Sequence, residues 1–541
     1  MLNNLIDTVS DRIGEFNPQL MRELKSRLSW RNLGITVFLS ILVQGMILIG
    51  QYAKLPVLQG VNSRHYPNTE YCFALPYKPG ISNVGNCKLD AFNNLLINWP
   101  KWWGDTSLGI STVMFMGLFA GGVYLLASNI SQEERRGTLD FIRLTPQRVG
   151  SIMGGKLAGV PILVYLAAAL ALPLQIHAVH EAQLARINVL SWDLLMVSMG
   201  ILLYLAAILT TMWFKAQSIL LAGLTLCLSH PLTYTSLMWY GKYKNAGVYW
   251  YGLHLGNQVF TYLLFTGVAS IGIYWLYQAT RRRYLKPTAT VLSKKQSYVW
   301  SGMYHLILIG FAINNYGSKD INFHLPFGLN NANGFDSFIT SVSAFSWLLL
   351  LVPLLLPGQQ SLVEWSRQRP VRSTKGRSLL ADLIGNEKSP AMLAVAINMA
   401  IATIIWLPPS LLMHGSDRTM PKIFLGIGMS TALVVIYSTI AHWCLFWKVN
   451  QRHAWTAGII GGLVVLPLVF GALLNVNSSS GNNPAFLFSP FLWTSIKQVP
   501  GFISIGVFLA LLGAMIWLNL RLWRVLKKIG RSESFRHLAT V

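Results

Sequence analysis

Residues 131–156 read SQEERRGTLDFIRLTPQRVGSIMGGK. Three acids and five bases crowd into this stretch, although only 11% of the chain is Asp, Glu, Lys or Arg. The runs on either side, roughly 107–127 and 157–176, contain no charge. Charged punctuation between two runs of this length marks a loop joining two membrane helices, because a helix satisfies its own backbone in lipid. Scanning outward for further charge-free runs of about 18 residues gives twelve candidate spans: roughly 33–50, 107–127, 157–176, 190–212, 217–238, 257–279, 298–314, 337–356, 391–412, 423–446, 454–474 and 501–520. The fold expected is an all-α polytopic membrane protein with about twelve transmembrane helices.

Composition agrees. The 541 residues are 53% apolar and 12% aromatic, with a mean hydropathy of +0.46, more apolar side chain than one or two soluble cores bury. A net charge of +24 raises nucleic-acid binding, but its placement argues for topology instead. With both termini in the cytoplasm, the inside segments 1–32, 128–156, 280–297, 357–390, 447–453 and 521–541, together with Lys215, carry 31 of the 43 Lys and Arg. That is the positive-inside bias. No basic stripe with interleaved aromatics lies outside the loop ends, so nucleic acid is not an expected partner. About thirty polar and acid-containing residues precede the first apolar run, which argues against a cleavable leader.

Of four cysteines, Cys227 and Cys444 fall in expected spans and read as small buried apolar residues. Cys72 and Cys87 share the first outside loop, where they either form a disulfide closing about sixteen residues or remain two thiols.

The spans recur at a nearly constant offset, 107 to 337, 157 to 391, 190 to 423, 217 to 454 and 257 to 501. This reads as a six-helix unit used twice, the two copies parallel. The expected organisation is a cytoplasmic segment 1–32, a first unit 33–279, a linker 280–297, a second unit 298–520 and a basic tail 521–541. Segments 229–240 and 489–496, rich in Ser, Pro and aromatics, read as short interfacial or re-entrant helices, or as outside loops with an aromatic belt. Residues 17–30 carry Asn17 as a cap, Pro18 at the first helical position, and Leu20, Leu24 and Leu28 one turn apart. They form an amphipathic helix lying on the inner membrane surface, or a helix packing on another inside loop.

Chemistry-bearing residues are sparse within the spans. Of nineteen acids only Asp193 touches one, near its outer mouth, which leaves no mid-membrane carboxylate for an ion-driven cycle. His230, His305 and His442 lie within spans or at their ends and suit interhelical hydrogen bonds. His177, His180 and Glu181 have helical spacing that gathers a metal, without a further ligand. No G-x-x-x-x-G-K-[ST] occurs, so nucleotide is not expected to bind this chain. Gly117/Gly121 and Gly458/Gly462 have the spacing of close helix packing.

In the opening stretch, Ser131 and Glu134 have the form of a capping box, Gly137 interrupts, Thr138 caps a short helix carrying Leu139, Phe141, Ile142 and Leu144, and Thr145-Pro146 starts another. Such a helix, with apolar residues among Glu133, Glu134, Arg135, Arg136, Asp140 and Arg143, suits docking into a groove on another protein. The bland alternative is a solvated loop.

The pattern Glu133, Gly137, Thr138, Leu139, then Thr145-Pro146 and Gly155-Lys156, resembles the first cytoplasmic loop of ABC-2 type permeases of ABC transporters. The helix at 17–30 is similar to that family's elbow helix, and together these features cover most of residues 17–279. The resemblance implies a permease with no cofactor of its own, coupled to a separate ATP-binding subunit that carries ATP and Mg. It implies that Glu133, Glu134, Arg135, Gly137, Thr138, Leu139, Phe141, Ile142, Pro146 and Lys156 form a coupling site. The second inside segment, 361–390, lacks the motif but keeps an apolar turn with Leu383 and Ile384 before Glu387 and Lys388, a second coupling candidate. Family members commonly have six spans and dimerise, whereas this chain resembles two fused units; self-association stays open. The expectation is a multi-pass exporter subunit in a bacterial plasma membrane, in contact with lipid. The alternatives are an ion-driven secondary transporter and a membrane-embedded lipid-modifying enzyme.

Overall fold

The computed structural model describes residues 12, 14–56, 71–73, 90–91, 95–214, 216–227, 249–314, 322–323, 335–374, 378–414, 420–447, 452–474, 484–490, 492, 495–496 and 499–538. The described residues are helical almost throughout. It divides into two compact units, Met1–Ala246 with Gly256–Arg281, and Gly247–Leu255 with Arg282–Val541.

In the first unit, Asn17 caps α1 (Pro18–Arg27), accepting from Leu20 N at 3.1 Å, with Pro18 at the first position where its missing N–H is harmless. There follow α2 (Trp30–Tyr52), α3 (Trp99–Arg135), α4 (Thr138–Arg143), α5 (Val149–Gly159), α6 (Ile162–Glu181), α7 (Arg186–Phe214), α8 (Ser218–Cys227) and α9 (Gln258–Leu285). Apolar side chains all around α2, among them Ile35, Phe38, Ile41, Met46 and Ile49, are exposed, which suits a helix bathed in lipid. The core gathers Phe115 and Phe119 of α3, Trp192, Leu195 and Met196 of α7, and Tyr262 of α9. Phe115 meets Trp192 edge to face at 5.1 Å. Gly122 lets the Tyr204 ring lie against the α3 backbone, and Tyr204 Oη donates to Leu118 O at 2.7 Å.

The second unit opens on a hairpin that the sequence reading missed. Strands β1 (Tyr249–Trp250) and β2 (Leu253–His254) pair antiparallel, and Tyr251 and Gly252 turn between them at φ 48° and 78°, a two-residue turn needing positive φ at both positions. It rests on α10 (Lys294–Ala312) through Tyr251 N to Gly310 O at 2.9 Å. Then come β3 (Ile313–Asn314) paired with β4 (Asn322–Phe323), α11 (Phe335–Leu354), α12 (Gln359–Thr374), α13 (Leu379–Gly385), α14 (Met392–His414), α15 (Met420–Cys444), α16 (Arg452–Leu474), a 3-10 turn at Pro484–Phe488, and α17 (Gly501–Leu538). Phe345–Leu354 and Gln359–Arg369 are bent by 74°. The break holds Pro357-Gly358, a pair that cannot continue a helical hydrogen-bond ladder.

Among the described residues, eight helices are long and apolar enough to cross a membrane, and nine if the bent pair makes one span. They include α2, α3, α6, α7, α9, α15 and α17, with Met392–Pro409 of α14. The expected spans at 217–238, 298–314 and 454–474 do not reach that standard. Only Ser218–Cys227 of the first is a described helix, α10 is interrupted by polar side chains such as His305, and the apolar part of α16 is Trp455–Pro467. The run 157–176 is split at Val160-Pro161 between α5 and α6. Segment 229–240 lies outside the described residues; in 489–496, where 491, 493 and 494 lie outside them too, Leu492 is in a 3-10 turn and Ile496 N donates to Leu492 O at 3.0 Å. Cys72 is disulfide-bonded, and Cys87 lies outside the described residues.

Candidate functional site

At about 1.5 Å per residue, the 37 residues of α3 reach about 55 Å, well beyond a hydrocarbon core of about 30 Å. Its far end carries a buried charge node. Lys156 of α5 is wholly buried and donates to both carboxylate oxygens of Glu133 at 2.7 Å and to Asn129 Oδ1 at 2.8 Å. Arg22 of α1 donates to Glu133 Oε1 at 2.9 Å, and Glu23 lies 4.0 Å from Lys156 Nζ and 3.4 Å from Arg27. Burial lowers the Lys156 pKa, more than the attraction of Glu133 raises it.

The packing of α1 explains the glycines before Lys156. A Cβ on Gly155 would sit 2.8 Å from Leu20 N, and one on Gly159 2.7 Å from Glu23 Cβ, so this pair admits α1. Gly117, Gly458 and Gly462, picked by spacing for that role, meet nothing within 4 Å, while Gly121 touches Val164. Asn17 Nδ2 also donates to Ser151 O at 2.8 Å. The helix thus turns Gln19 and Glu23, with its cap Asn17, into the protein, and the flanking Phe16 and Leu28 are exposed.

The loop itself departs from the expected caps. Ser131 and Glu134 belong to the last turn of α3, and the cap of α4 is Gly137 at φ 70°, a left-handed conformation suited to glycine. Thr138 Oγ1 donates back to Glu133 O at 3.3 Å, and Thr145 Oγ1 to Ile142 O at 2.7 Å, closing α4 rather than starting α5. On α4, Leu139 and Ile142 are buried whereas Phe141 and Leu144 are 71% and 85% exposed. Of the ten coupling residues, Glu133, Leu139, Ile142 and Lys156 therefore face the chain itself. Arg135, Gly137, Thr138, Phe141 and Pro146 face outward, and Glu134 is half-buried. Glu134 and Arg135 line an open groove of about 580 Å³ with Ser131 and residues 216–219.

The second unit carries a counterpart. Ser378 caps α13, accepting from Ala381 N at 3.2 Å. Leu380 and Ile384, four apart, are exposed, and Leu383 is half-buried. Lys388 donates to Glu364 at 2.6 Å, and Glu387 pairs with Arg282. Glu364 and Lys388 follow Glu133 and Lys156 by 231 and 232 positions. Side-chain exposure is 0% for Lys156 and 11% for Glu133, against 46% for Lys388 and 51% for Glu364. Buried Asp382 pairs with Arg369 at 3.2 Å. Arg22, Asn129, Arg282 and Glu364 were missed by the sequence reading; the repeat offset alone would have found Glu364.

Elsewhere the described residues hold no group of three or more His, Cys, Asp or Glu placed to bind a metal. His180 and Glu181 lie 3.5 Å apart and are exposed. Asp193 is 3.5 Å from Gln175 Nε2, which also donates to Ser111 at 2.9 Å. No protein-family model, no curated protein and no solved structure matches the chain.

Proposed function

We propose that this chain is the membrane subunit of an ATP-binding cassette exporter, worked by a separate ATPase that seats on α4 and α13. One observation carries the reading: α4 offers Phe141 and Leu144 outward while its other face is buried and its first residue, Thr138, is hydrogen-bonded to Glu133 O at the end of a 37-residue helix. A push on such a helix reaches α3 through Thr138 and Glu133, and α1 and α5 through the bonds of Arg22 and Lys156 to the same Glu133. ATP and Mg belong to the partner. In this reading α8, α10 and α16 complete twelve spans with the nine, each unit supplies six, and α4 and α13 lie on the cytoplasmic face of a bacterial plasma membrane.

The experiment is co-purification. The wild-type chain is expected to retain a P-loop ATPase, and Phe141→Glu with Leu144→Glu to lose it while staying folded. Retention by the double variant would end the proposal.

A second reading, an ion-driven transporter, rests on Asp193 and its contact with Gln175. Transport that Asp193→Asn abolishes, and that persists without ATP, would favour it.

A further inference from the structure

Lys294 opens α10 and is 2% exposed, yet it makes no ion pair among the described residues. Its Nζ donates to Leu383 O at 2.7 Å, Ser389 Oγ at 2.6 Å and Pro390 O at 2.9 Å. An ammonium carries three N–H groups, and here three oxygens meet them. Leu383 lies in the last turn of α13, and Ser389 and Pro390 in the turn that leads to α14. Ser389 Oγ lies 2.8 Å from both Asp382 O and Asn386 O, to either of which it donates. Lysine and serine together therefore cover the end of α13, where Asp382 O also accepts from Asn386 N at 2.9 Å and the later carbonyls run out of helical donors. One turn along α10, Tyr298 Oη donates to Ile384 O at 2.9 Å.

The charged and titratable groups around Lys294 are otherwise engaged. Asp382 pairs with Arg369, Glu387 with Arg282, Lys388 with Glu364, and His442 accepts from Ala391 N at 3.1 Å. Burial lowers the Lys294 pKa to about 7, outweighing the pull of Asp382 and Glu387. A charge here works against folding, and an apolar side chain of similar reach is expected to be tolerated at least as well. What the ammonium supplies is direction, three bonds converging on one helix end.

We propose that Lys294 is the positioning residue of α13, its three hydrogen bonds setting the angle at which Leu380 and Ile384 face outward. The inference deepens the reading of α13 as a docking helix: a load on α13 passes through Lys294 to the first turn of α10. In the first unit the same task falls to the apolar burial of Leu139 and Ile142 and to Glu133.

The test uses the full-length chain, reconstituted without any partner, with Cys227 and Cys444 replaced by Ser and nitroxide labels at Ile384→Cys and Phe424→Cys. Electron–electron double resonance reads the distance distribution and thermal unfolding reads stability. Lys294→Met is expected to broaden the distribution roughly twofold, a local loosening, while the unfolding midpoint holds or rises. Ser389→Ala alone, which leaves Lys294 its bonds to Leu383 O and Pro390 O, is expected to broaden it less. An unchanged distribution overturns the proposal. So does broadening accompanied by a lower midpoint, which would make Lys294 a core filler. Because no ATPase is present, the outcome is independent of whether a partner docks; failure to find an ATPase would remove the docking reading and leave the tether standing.

Discussion

Lys156 Nζ lies 2.7 Å from both carboxylate oxygens of Glu133, and the lysine is wholly buried. The pair joins the end of α3 to α5 and, through the backbone of Glu133, to α4. Removing one partner strands a buried charge, which costs about 3–5 kcal/mol. Lys156→Met and Glu133→Leu are each expected to lose stability on that scale. The double variant is expected to recover most of it. Chemical denaturation in a double-mutant cycle checks this, and strict additivity would mean the two side chains do not act together.

Gly159 faces Glu23 Cβ so closely that an added methyl must displace α1. Overpacking of this kind costs about 1–3 kcal/mol. Gly159→Ala is expected to loosen α1 and speed tryptic cleavage at Lys25 and Arg27, while Gly117→Ala, with open space around it, leaves both unchanged. Limited proteolysis separates the two.

On α4, outward and inward apolar residues are expected to fail differently. Phe141→Glu or Leu144→Glu should leave the folding free energy within about 0.5 kcal/mol of wild type, as surface changes do. Leu139→Glu or Ile142→Glu places a charge in a buried site and should destabilise the loop by several times that. Thermal unfolding of the four single variants is the check.

Lys294 gives a pH signature. Its pKa of about 7 in the folded chain lies below the ordinary 10.5, so between those values the unfolded chain binds the extra proton and folding strengthens as pH rises. Below about pH 7 both states are charged and this contribution is flat. The stability of the wild type minus that of Lys294→Met is therefore expected to rise from pH 7 to about 10, and to stay level at about pH 5–6. Parallel melting curves across that range would contradict the assignment.

Much of this was legible locally. Asn17-Pro18 announces α1, and Gly137 announces the break before α4, because caps and left-handed turns are chosen by one or two residues. The form Ser131-x-x-Glu134 misled, since nothing before Gly137 stops α3 and a helix in progress absorbs both residues. A reciprocal box does form at Ser293 and Gln296, at 3.0 and 3.1 Å. Burial direction was not legible: Leu139, Phe141 and Ile142 are equally apolar, and which side of a six-residue helix turns inward depends on what packs beneath it. The ion pairs of Glu133 were not legible, because its partners, Arg22 and Lys156, are distant in sequence. The membrane character of the chain, by contrast, followed from composition, since no arrangement of so apolar a chain hides it from lipid.

The most direct measurement places a photo-crosslinking amino acid at Leu144, the outermost apolar residue of the α4 loop, and irradiates whole cells. The expected product is an adduct with a nucleotide-binding protein carrying a P-loop, identified by mass spectrometry and lost when Phe141 is also replaced by Glu. Adducts with lipid alone, or with no ATP-binding protein, would contradict the account.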